Sequence, residues 1–200
     1  MSSQMRATGG KDRFDDYSAR LQQVLAATDW SAVRHLADEL LDCWRTDRQV
    51  FLCGNGGSAG NAMHLANDFL YGVSRTLGSG LRVNALPSNT AVTTCLANDE
   101  GYERIFSMQL AVLANPGDVV IVMSGSGNSA NIVQTLNLAR EKGLRSYAIL
   151  GYSGGQAKAL ADVAIHFPVD DMQISEDLQL IAGHMVMQHL YAEGREERVI

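Results

Sequence analysis

The chain has 200 residues, of which 46% are hydrophobic and 19% are charged, a composition typical of one globular domain rather than of a disordered protein. Its formal net charge is −6 and no local basic stripe offsets it. We therefore expect no nucleic-acid-binding surface. The length suits a single α/β domain with a sizeable core.

The cellular setting is predicted from what the sequence contains and lacks. No apolar run approaches the roughly 20 residues that a membrane helix needs, and the N-terminal segment has no apolar core of a signal peptide. The three cysteines, Cys43, Cys53 and Cys95, lie in apolar segments and are odd in number, which predicts core thiols of a reducing compartment. We expect a cytoplasmic protein without membrane contact.

The chain begins with a predicted loose tail at residues 1–11, ahead of a domain spanning 12–192 and a polar, frayed tail at 193–200. Apolar residues from Arg13 to Ala27 have the spacing of an amphipathic helix. A second helix extends to Trp44, and either Asp29 or Ser31 can cap it. Two helices ahead of a sheet domain predict packing on its flank or on a partner subunit.

The first strand is predicted at Val50 to Cys53, followed by the turn Gly54 to Ser58 and a helix from Ala59 to about Tyr71. On this helix His64 and Asp68 are four residues apart and therefore share a face. They can be two metal ligands, a base with the residue that orients it, or a surface ion pair.

The middle and the later part of the chain continue the alternation of strands and helices. The predicted elements are a strand at Leu81–Leu86, helices at Ser88–Ala97 and Tyr102–Ala114, a strand at Arg145–Leu150, a short helix at Gln156–Leu160 and a strand at Val163–Phe167.

The most informative stretch runs from Val119 to Gly143. A buried strand is predicted at its start, then the turn Ser124 to Ser129, then a helix from Ala130 to Lys142. Gly143 marks the end of that helix. Unpaired N–H groups and the helix dipole at the start of the helix favour an anion, and the turn adds hydroxyl and amide groups but no Lys or Arg. The stretch therefore predicts a phosphate cradle made of neutral donors.

Three other interpretations of this turn were open. Gly125, Gly127 and Ala130 fit a relaxed dinucleotide fingerprint, but the strand Arg145–Leu150 ends without the carboxylate that would bind a ribose. The lysine of a nucleotide P-loop is absent from the turn, so no nucleotide cofactor is expected. An ordinary tight turn is disfavoured because the same pattern occurs at Gly54 to Ser58.

The last helix, predicted from about Gln173 to Ala192, is apolar around most of its circumference and is expected to be buried. Polar residues on a buried helix are informative, and Gln179 and His184 fall on either side of Glu176. Capping by Ser175 or Glu176 is the structural alternative for the acidic residue. For His184 the alternative is a core histidine bonded to a backbone carbonyl.

Several motifs together resemble a known family. The segments CGNGGSAGNAMH (53–64), LANDEG (96–101), SGSGNSANIVQ (124–134) and GYSGG (151–155) are similar to those of the sugar isomerase, or SIS, domain family. Within it the likeness is to the sedoheptulose-7-phosphate (phosphoheptose) isomerases, and it extends from Arg13 to Tyr191.

The resemblance implies a single SIS domain with a flavodoxin-like, doubly wound α/β fold, in which helices flank a five-stranded parallel sheet and further helices precede it. It also implies a homotetramer, or a homodimer, with sites near subunit interfaces. The residues implied to bind the phosphate are Asn55, Gly56, Ser58, Ser124, Gly125, Ser126 and Ser129. The residues implied to reach the sugar are Asp99, Glu176 and Gln179.

The resemblance further implies a site that can hold zinc at the positions of His64, Asp68, Gln179 and Met187. The family has a glutamate, proposed as the base, at the position of Asp68 and a histidine, proposed as the acid, at that of Met187. Because a thioether donates no proton, we predict Asp68 as base and His184, one turn before Met187, as acid. His64 is predicted to orient Asp68 or to bind metal.

The predicted function is the isomerisation of sedoheptulose 7-phosphate to D-glycero-D-manno-heptose 7-phosphate through an enediolate, with zinc as the candidate cofactor. The open alternatives are a sugar-phosphate-binding or protein-interaction module without turnover, and an isomerase of a different phosphosugar.

Overall fold

The computed structural model describes residues 12–74 and 80–196. The predicted tail at 1–11 and positions 197–200 lie outside these ranges. The strands are β1 (Gln49–Gly54), β2 (Arg82–Ala85), β3 (Val119–Ser124), β4 (Arg145–Leu150) and β5 (Val163–His166). The helices are α1 (Arg13–Ala27), α2 (Ser31–Thr46), α3 (Gly57–Leu70), α4 (Thr90–Asp99), α5 (Ser107–Leu113), α6 (Ala130–Lys142), α7 (Ala157–Leu160) and α8 (Met172–Glu196).

The strands form one five-stranded sheet in the order β2-β1-β3-β4-β5, and all of its pairs are parallel. Gly54 at the end of β1 is level with Met123 of β3, and Ser124 is level with Leu150 of β4. The chain reverses its direction of travel across the sheet between β1 and β3. In doubly wound sheets of this order, ligands bind at the carboxyl ends of the strands at that switch point.

Each face of the sheet has its own core, because successive side chains of a strand point to opposite faces. Leu52 and Ile121 contribute to one cluster, which contains buried residues of α2, α3 and α8. Phe51 and Val120 contribute to the other, which contains those of α5 and α6. Burial on both faces explains why β1 and β3 are continuous apolar runs rather than alternating ones.

Several predicted elements are confirmed with their boundaries, among them α1, α6 and β4. α6 ends at Gly143 in the left-handed conformation, as predicted. At the start of α2, the side chain of Asp29 accepts a hydrogen bond from the Ser31 N–H.

Other boundaries were wrong for identifiable reasons. α3 begins at Gly57, inside the predicted turn, and β2 ends at Ala85 because a 3₁₀-helix begins at Leu86. α4 starts at Thr90, since Asn89 caps it by accepting from the Val92 N–H.

The segment predicted as a helix from Tyr102 to Ala114 is a 3₁₀-helix at Tyr102–Arg104 followed by α5. α8 begins at Met172 and continues to Glu196, beyond the predicted end at Ala192.

The cysteine prediction is confirmed in part. Cys43 and Cys53 are buried, whereas Cys95 is exposed because α4 has no buried residue in this chain. Burial raises the pKa of the Cys43 thiol to about 12 and raises the pKa of Cys53 as well. Over the described ranges, none of the helices combines the length and apolarity needed to traverse a bilayer.

Candidate functional site

A crevice of about 250 Å³ lies at the carboxyl ends of β1 and β3. Its lining residues come from the two glycine- and serine-rich loops and from the start of α8: Asn55, Gly56, Gly57, Ser58, Met123, Ser124, Gly125, Ser126, Ser129, Met172 and Glu176. The seven residues predicted to bind phosphate are all among them. Asp99 and Gln179 do not line this crevice.

The loop between β3 and α6, residues 124–129, is held by its own side chains. The Ser124 hydroxyl accepts from the Gly127 N–H at 3.0 Å, and the Ser126 hydroxyl accepts from the Asn128 N–H at 3.3 Å. These hydrogen bonds fix the loop that lies between the crevice and the start of α6. Its partial positive charge suits an anion, and the described lining residues include no Lys or Arg.

The loop after β1 is joined to the first turn of α6 by a pair of side-chain amides that sequence reasoning missed. Asn55 donates to the Asn131 Oδ1 at 2.9 Å, and Asn131 donates back to the Asn55 Oδ1 at 2.8 Å. The Tyr102 hydroxyl also donates to the Asn55 Oδ1 at 3.0 Å. Asn131 is buried, and a polar residue on the core side of α6 was the only sequence signal for it.

The carboxylate of Glu176 lies over the start of α3. It fills the space that a Cβ at position 57 would occupy, so a larger residue there would have to displace the carboxylate. The alternative that Ser175 or Glu176 caps α8 is wrong, because Asp171 accepts from the Ile174 N–H and caps the helix. Glu176 is thus free to face the crevice from the second turn of α8.

Gln179 is buried and bonded to protein groups on both sides. Its amide nitrogen donates to the Ser58 hydroxyl at 3.0 Å, and its Oε1 accepts from the Asn61 amide at 2.9 Å. Asn61 also donates to the Glu176 backbone carbonyl. The amide of Gln179 therefore links α8 to the start of α3.

His64, Asp68 and His184 form a compact cluster on α3 and α8. The Nε2 atoms of the two histidines are 2.9 Å apart, and the Asp68 Oδ2 lies 3.4 Å from His64 and 3.5 Å from His184. Both imidazoles are about half exposed, at 49% and 46%, whereas the carboxylate is only 17% exposed. The alternative of a core histidine bonded to a backbone carbonyl is thus wrong for His184.

The cluster forms because the two helices approach closely. Gly183, directly before His184, packs against Leu65 of α3, and a Cβ at Gly183 would overlap the leucine side chain. Met187 reaches the neighbourhood of Gly72, beside the Asp68 Cβ. His184, which is predicted to act as the acid in place of Met187, lies close to the Asp68 carboxylate.

The donor set of this cluster fits a transition metal. The ligand atoms of His64, Asp68 and His184 lie within 4.8 Å of one another, and two imidazole nitrogens with one carboxylate oxygen are a ligand set that zinc accepts. Gln179 was predicted as a further ligand, but its amide is directed to Ser58 and Asn61.

Asp99 is at the end of α4, where it accepts hydrogen bonds from the Asn98 amide and the Cys95 thiol. These bonds, that from Asn98 first, lower the pKa of its carboxyl group. Its contact with a sugar stays a prediction.

The sheet order and the crevice at the switch point define a doubly wound α/β protein with a candidate ligand site at the carboxyl ends of β1 and β3. Residues 13–151 match the SIS domain family, and the chain belongs to that family.

Phosphoheptose isomerases from several bacteria are similar to this chain over most of its length. The phosphoheptose isomerase of Chlorobaculum tepidum is 35% identical over 174 residues, which are 86% of this chain and 83% of that protein. The phosphoheptose isomerase of Geobacter sulfurreducens is 35% identical over 192 residues, 92% of this chain and 98% of that protein. The structure of the Neisseria gonorrhoeae phosphoheptose isomerase matches with a TM-score of 0.82 and 28% identity, over 90% of this chain and 95% of that one.

Proposed function

We propose that the protein is an aldose–ketose isomerase that converts sedoheptulose 7-phosphate into D-glycero-D-manno-heptose 7-phosphate, a product suited to heptose biosynthesis. The observation that carries the proposal is the combination of an anion-binding crevice with an acid–base cluster on α3 and α8. The names of relatives at 35% identity support the same substrate.

The phosphate is placed in the loop of residues 124–129. Backbone N–H groups and serine hydroxyls at the start of α6 donate to its oxygens. Asn55 of the loop after β1 and Ser58 at the start of α3 complete the cradle. Asp99 and Glu176 are assigned to hydroxyl groups of the sugar, while Gln179 fixes Ser58 and α8 relative to each other.

The reaction needs a base for a carbon-bound proton and an acid for the carbonyl oxygen. Asp68 takes the proton from C1 of the open-chain ketose while His184 protonates the oxygen on C2, which gives the enediol. Asp68 then returns the proton to C2 as the hydroxyl proton on C1 goes back to His184. His64 contacts both partners and keeps the Asp68 carboxylate oriented.

The same three side chains are the proposed ligands of zinc. A zinc ion bound there would polarise the substrate carbonyl. The roles of Asp68 as base and His184 as proton donor therefore apply to the metal-free protein. No nucleotide cofactor is proposed.

Exchange of the substrate's C1 proton in deuterated water tests the proposal. Wild-type protein is expected to incorporate deuterium at C1 of sedoheptulose 7-phosphate and to form the aldose, as followed by proton NMR. Asp68→Asn should abolish exchange while binding persists, because the crevice is intact. Undiminished turnover in that variant would refute the role of Asp68.

A second candidate is favoured by one specific observation. Met187 stands where the isomerase pattern has a histidine, and this suits an isomerase of a different phosphosugar or a binding module without turnover. Line broadening of the sugar phosphate without deuterium exchange would favour the module, and exchange with another phosphosugar alone would favour the altered substrate.

We also propose a cytoplasmic homotetramer, with a homodimer as the alternative. The half-exposed histidines suit a site completed near a subunit interface, and a groove between α2 and α8 that includes Val33, Ala37 and Met185 is partly apolar. Light scattering that shows a monomer at micromolar concentration would contradict this assembly.

A further inference from the structure

The loop that follows β4 packs against the loop at residues 124–129. It comprises residues 151–157, which include the motif GYSGG, and we call it the supporting loop. Its Gly151 and Ala157 N–H groups each donate to a carbonyl oxygen of the loop at residues 124–129, at 3.0 Å. Both acceptors belong to buried residues, and a buried carbonyl group without a donor costs free energy. The supporting loop thus stabilises the other loop, although the described residues that line the crevice include none of its own.

Two further contacts leave little room between the two loops. The Gln156 N–H donates to the Asn128 Oδ1 at 3.1 Å. Gly127 has a φ of +67°, and a Cβ at this position would overlap the carbonyl oxygen of Gly154. Because backbone packs on backbone here, a shift of the supporting loop would displace the loop at residues 124–129 as well.

The supporting loop is itself held by His166, the last residue of β5. The His166 Nε2 lies 2.9 Å from the Tyr152 carbonyl oxygen, and its Nδ1 lies 3.1 Å from the Lys158 Nζ. A carbonyl oxygen only accepts, so Nε2 carries the proton and Nδ1 accepts from the lysine. Tyr152 has a φ of +42°, which residues other than glycine rarely adopt. Such conformations persist where the surroundings hold them, and they cluster at functional sites.

We infer that His166 is a positioning residue for the phosphate group: it fixes the supporting loop through the Tyr152 carbonyl, and the supporting loop fixes residues 124–129. This inference rests on the proposed function, from which it takes the phosphate site, and it adds a residue that lies outside the crevice. His166 belongs neither to the crevice lining nor to the cluster on α3 and α8. Its loss should therefore weaken phosphate binding and spare the chemical step.

Two variants of His166 test the inference. Dissociation constants of inorganic phosphate and of sedoheptulose 7-phosphate are measured on the full chain by phosphorus NMR and calorimetry, together with KM and kcat. His166→Ala should weaken binding of both ligands and raise KM about fivefold, the effect of one lost hydrogen bond, with kcat within about twofold of wild type. His166→Gln, whose amide can donate to the Tyr152 carbonyl oxygen, should restore the wild-type values.

His35→Ala is the control for the loss of one imidazole. His35 lies on α2, and its Nδ1 is hydrogen-bonded to the hydroxyl of buried Tyr147 at 2.7 Å. Neither residue belongs to the crevice lining or to the two loops. This variant should melt at a lower temperature and keep the wild-type affinities for both ligands.

The outcomes separate the inference from the proposed function. Unchanged phosphate affinity in His166→Ala, an equal loss in His35→Ala, or no recovery in His166→Gln overturns the inference and leaves the function standing. Binding without turnover in wild type overturns the isomerase and not the inference, which the affinities still decide. Wild type that binds neither ligand overturns both.

A measurement on wild type replaces the variant if His166→Ala does not fold. Saturating inorganic phosphate must then slow hydrogen exchange of the Gln156 and Ala157 N–H groups, because they donate to the loop that binds the phosphate. Exchange that is unchanged by phosphate overturns the inference.

Discussion

The Nε2 atoms of His64 and His184 lie 2.9 Å apart, although 120 positions separate the residues in the chain. At this distance one nitrogen donates and the other accepts, so the two rings hold a single proton between them. When both rings carry their proton on Nδ1, two nitrogen lone pairs and the Asp68 carboxylate face one point. The same geometry would thus suit the proposed proton transfer in one tautomer and the proposed metal binding in the other.

Replacing His184 tests whether it is a metal ligand. His184→Asn should weaken binding of Co²⁺ or Zn²⁺ tenfold or more, because it removes one of three donors. The visible absorption of a Co²⁺ titration measures this directly, without reference to turnover. Met187→Leu is the matched control and should titrate like wild type. Full metal affinity in His184→Asn would show that the third donor lies elsewhere.

The amide pair of Asn55 and Asn131 predicts that substitutions at Tyr102 and Asn131 change substrate binding without a direct contact to the substrate. Tyr102→Phe removes one donor to the Asn55 Oδ1 and should raise KM severalfold with little change in kcat. Asn131→Asp should raise it further, since its carboxylate cannot donate to that oxygen. Steady-state kinetics, with thermal melting to confirm folding, measure both. A fall in kcat at constant KM would contradict a positioning role.

The cap of α8 predicts a dependence of stability on pH. The hydrogen bond from the Ile174 N–H is the largest cause that lowers the pKa of Asp171, and the hydrogen bond from Arg20 is the next. The ionised carboxylate therefore stabilises the fold above the unfolded-state pKa of about 4, and this stabilisation is lost as pH falls through the folded-state pKa. Asp171→Ala should cost about 1 kcal/mol at pH 7 and progressively less below pH 4.

Denaturant unfolding at pH 7 and below pH 4 measures the effect of the cap on the free energy of unfolding. Asp170→Ala is the control, because the Ile174 N–H donates to Asp171 and not to its neighbour. An equal loss of stability in the two variants at pH 7 would contradict the assignment of the cap.

Thiol labelling tests the environment of Asp99. Of the three cysteines, only Cys95 is exposed, so native protein should react at this position first, while Cys43 and Cys53 should require unfolding. The Asp99 carboxylate raises the pKa of the Cys95 thiol, and Asp99→Asn should therefore speed labelling at pH 8. Protection by sedoheptulose 7-phosphate would support the contact of Asp99 with the sugar, and unchanged labelling with saturating ligand would contradict it.

Sequence patterns predicted the sheet and the loop at residues 124–129 because each is encoded locally. The strand, turn and helix signals of β3 and α6 lie within 25 consecutive residues, Val119 to Gly143. The pairing of Asn131 with Asn55 bridges 76 positions, and no local pattern specifies it. The start of α3 was misplaced because Gly57 and Ser58 are typical of turns as well as of helix starts.

The packing of Gly183 on Leu65 has a consequence for sequence drift in this protein. A single added methyl group at position 183 would overlap the Leu65 side chain. Moving α8 away from α3 to relieve that overlap would separate His184 from His64, while the loop at residues 124–129 stayed intact. A substitution that touches no ligand would then leave a protein that still captures its sugar phosphate but no longer transforms it.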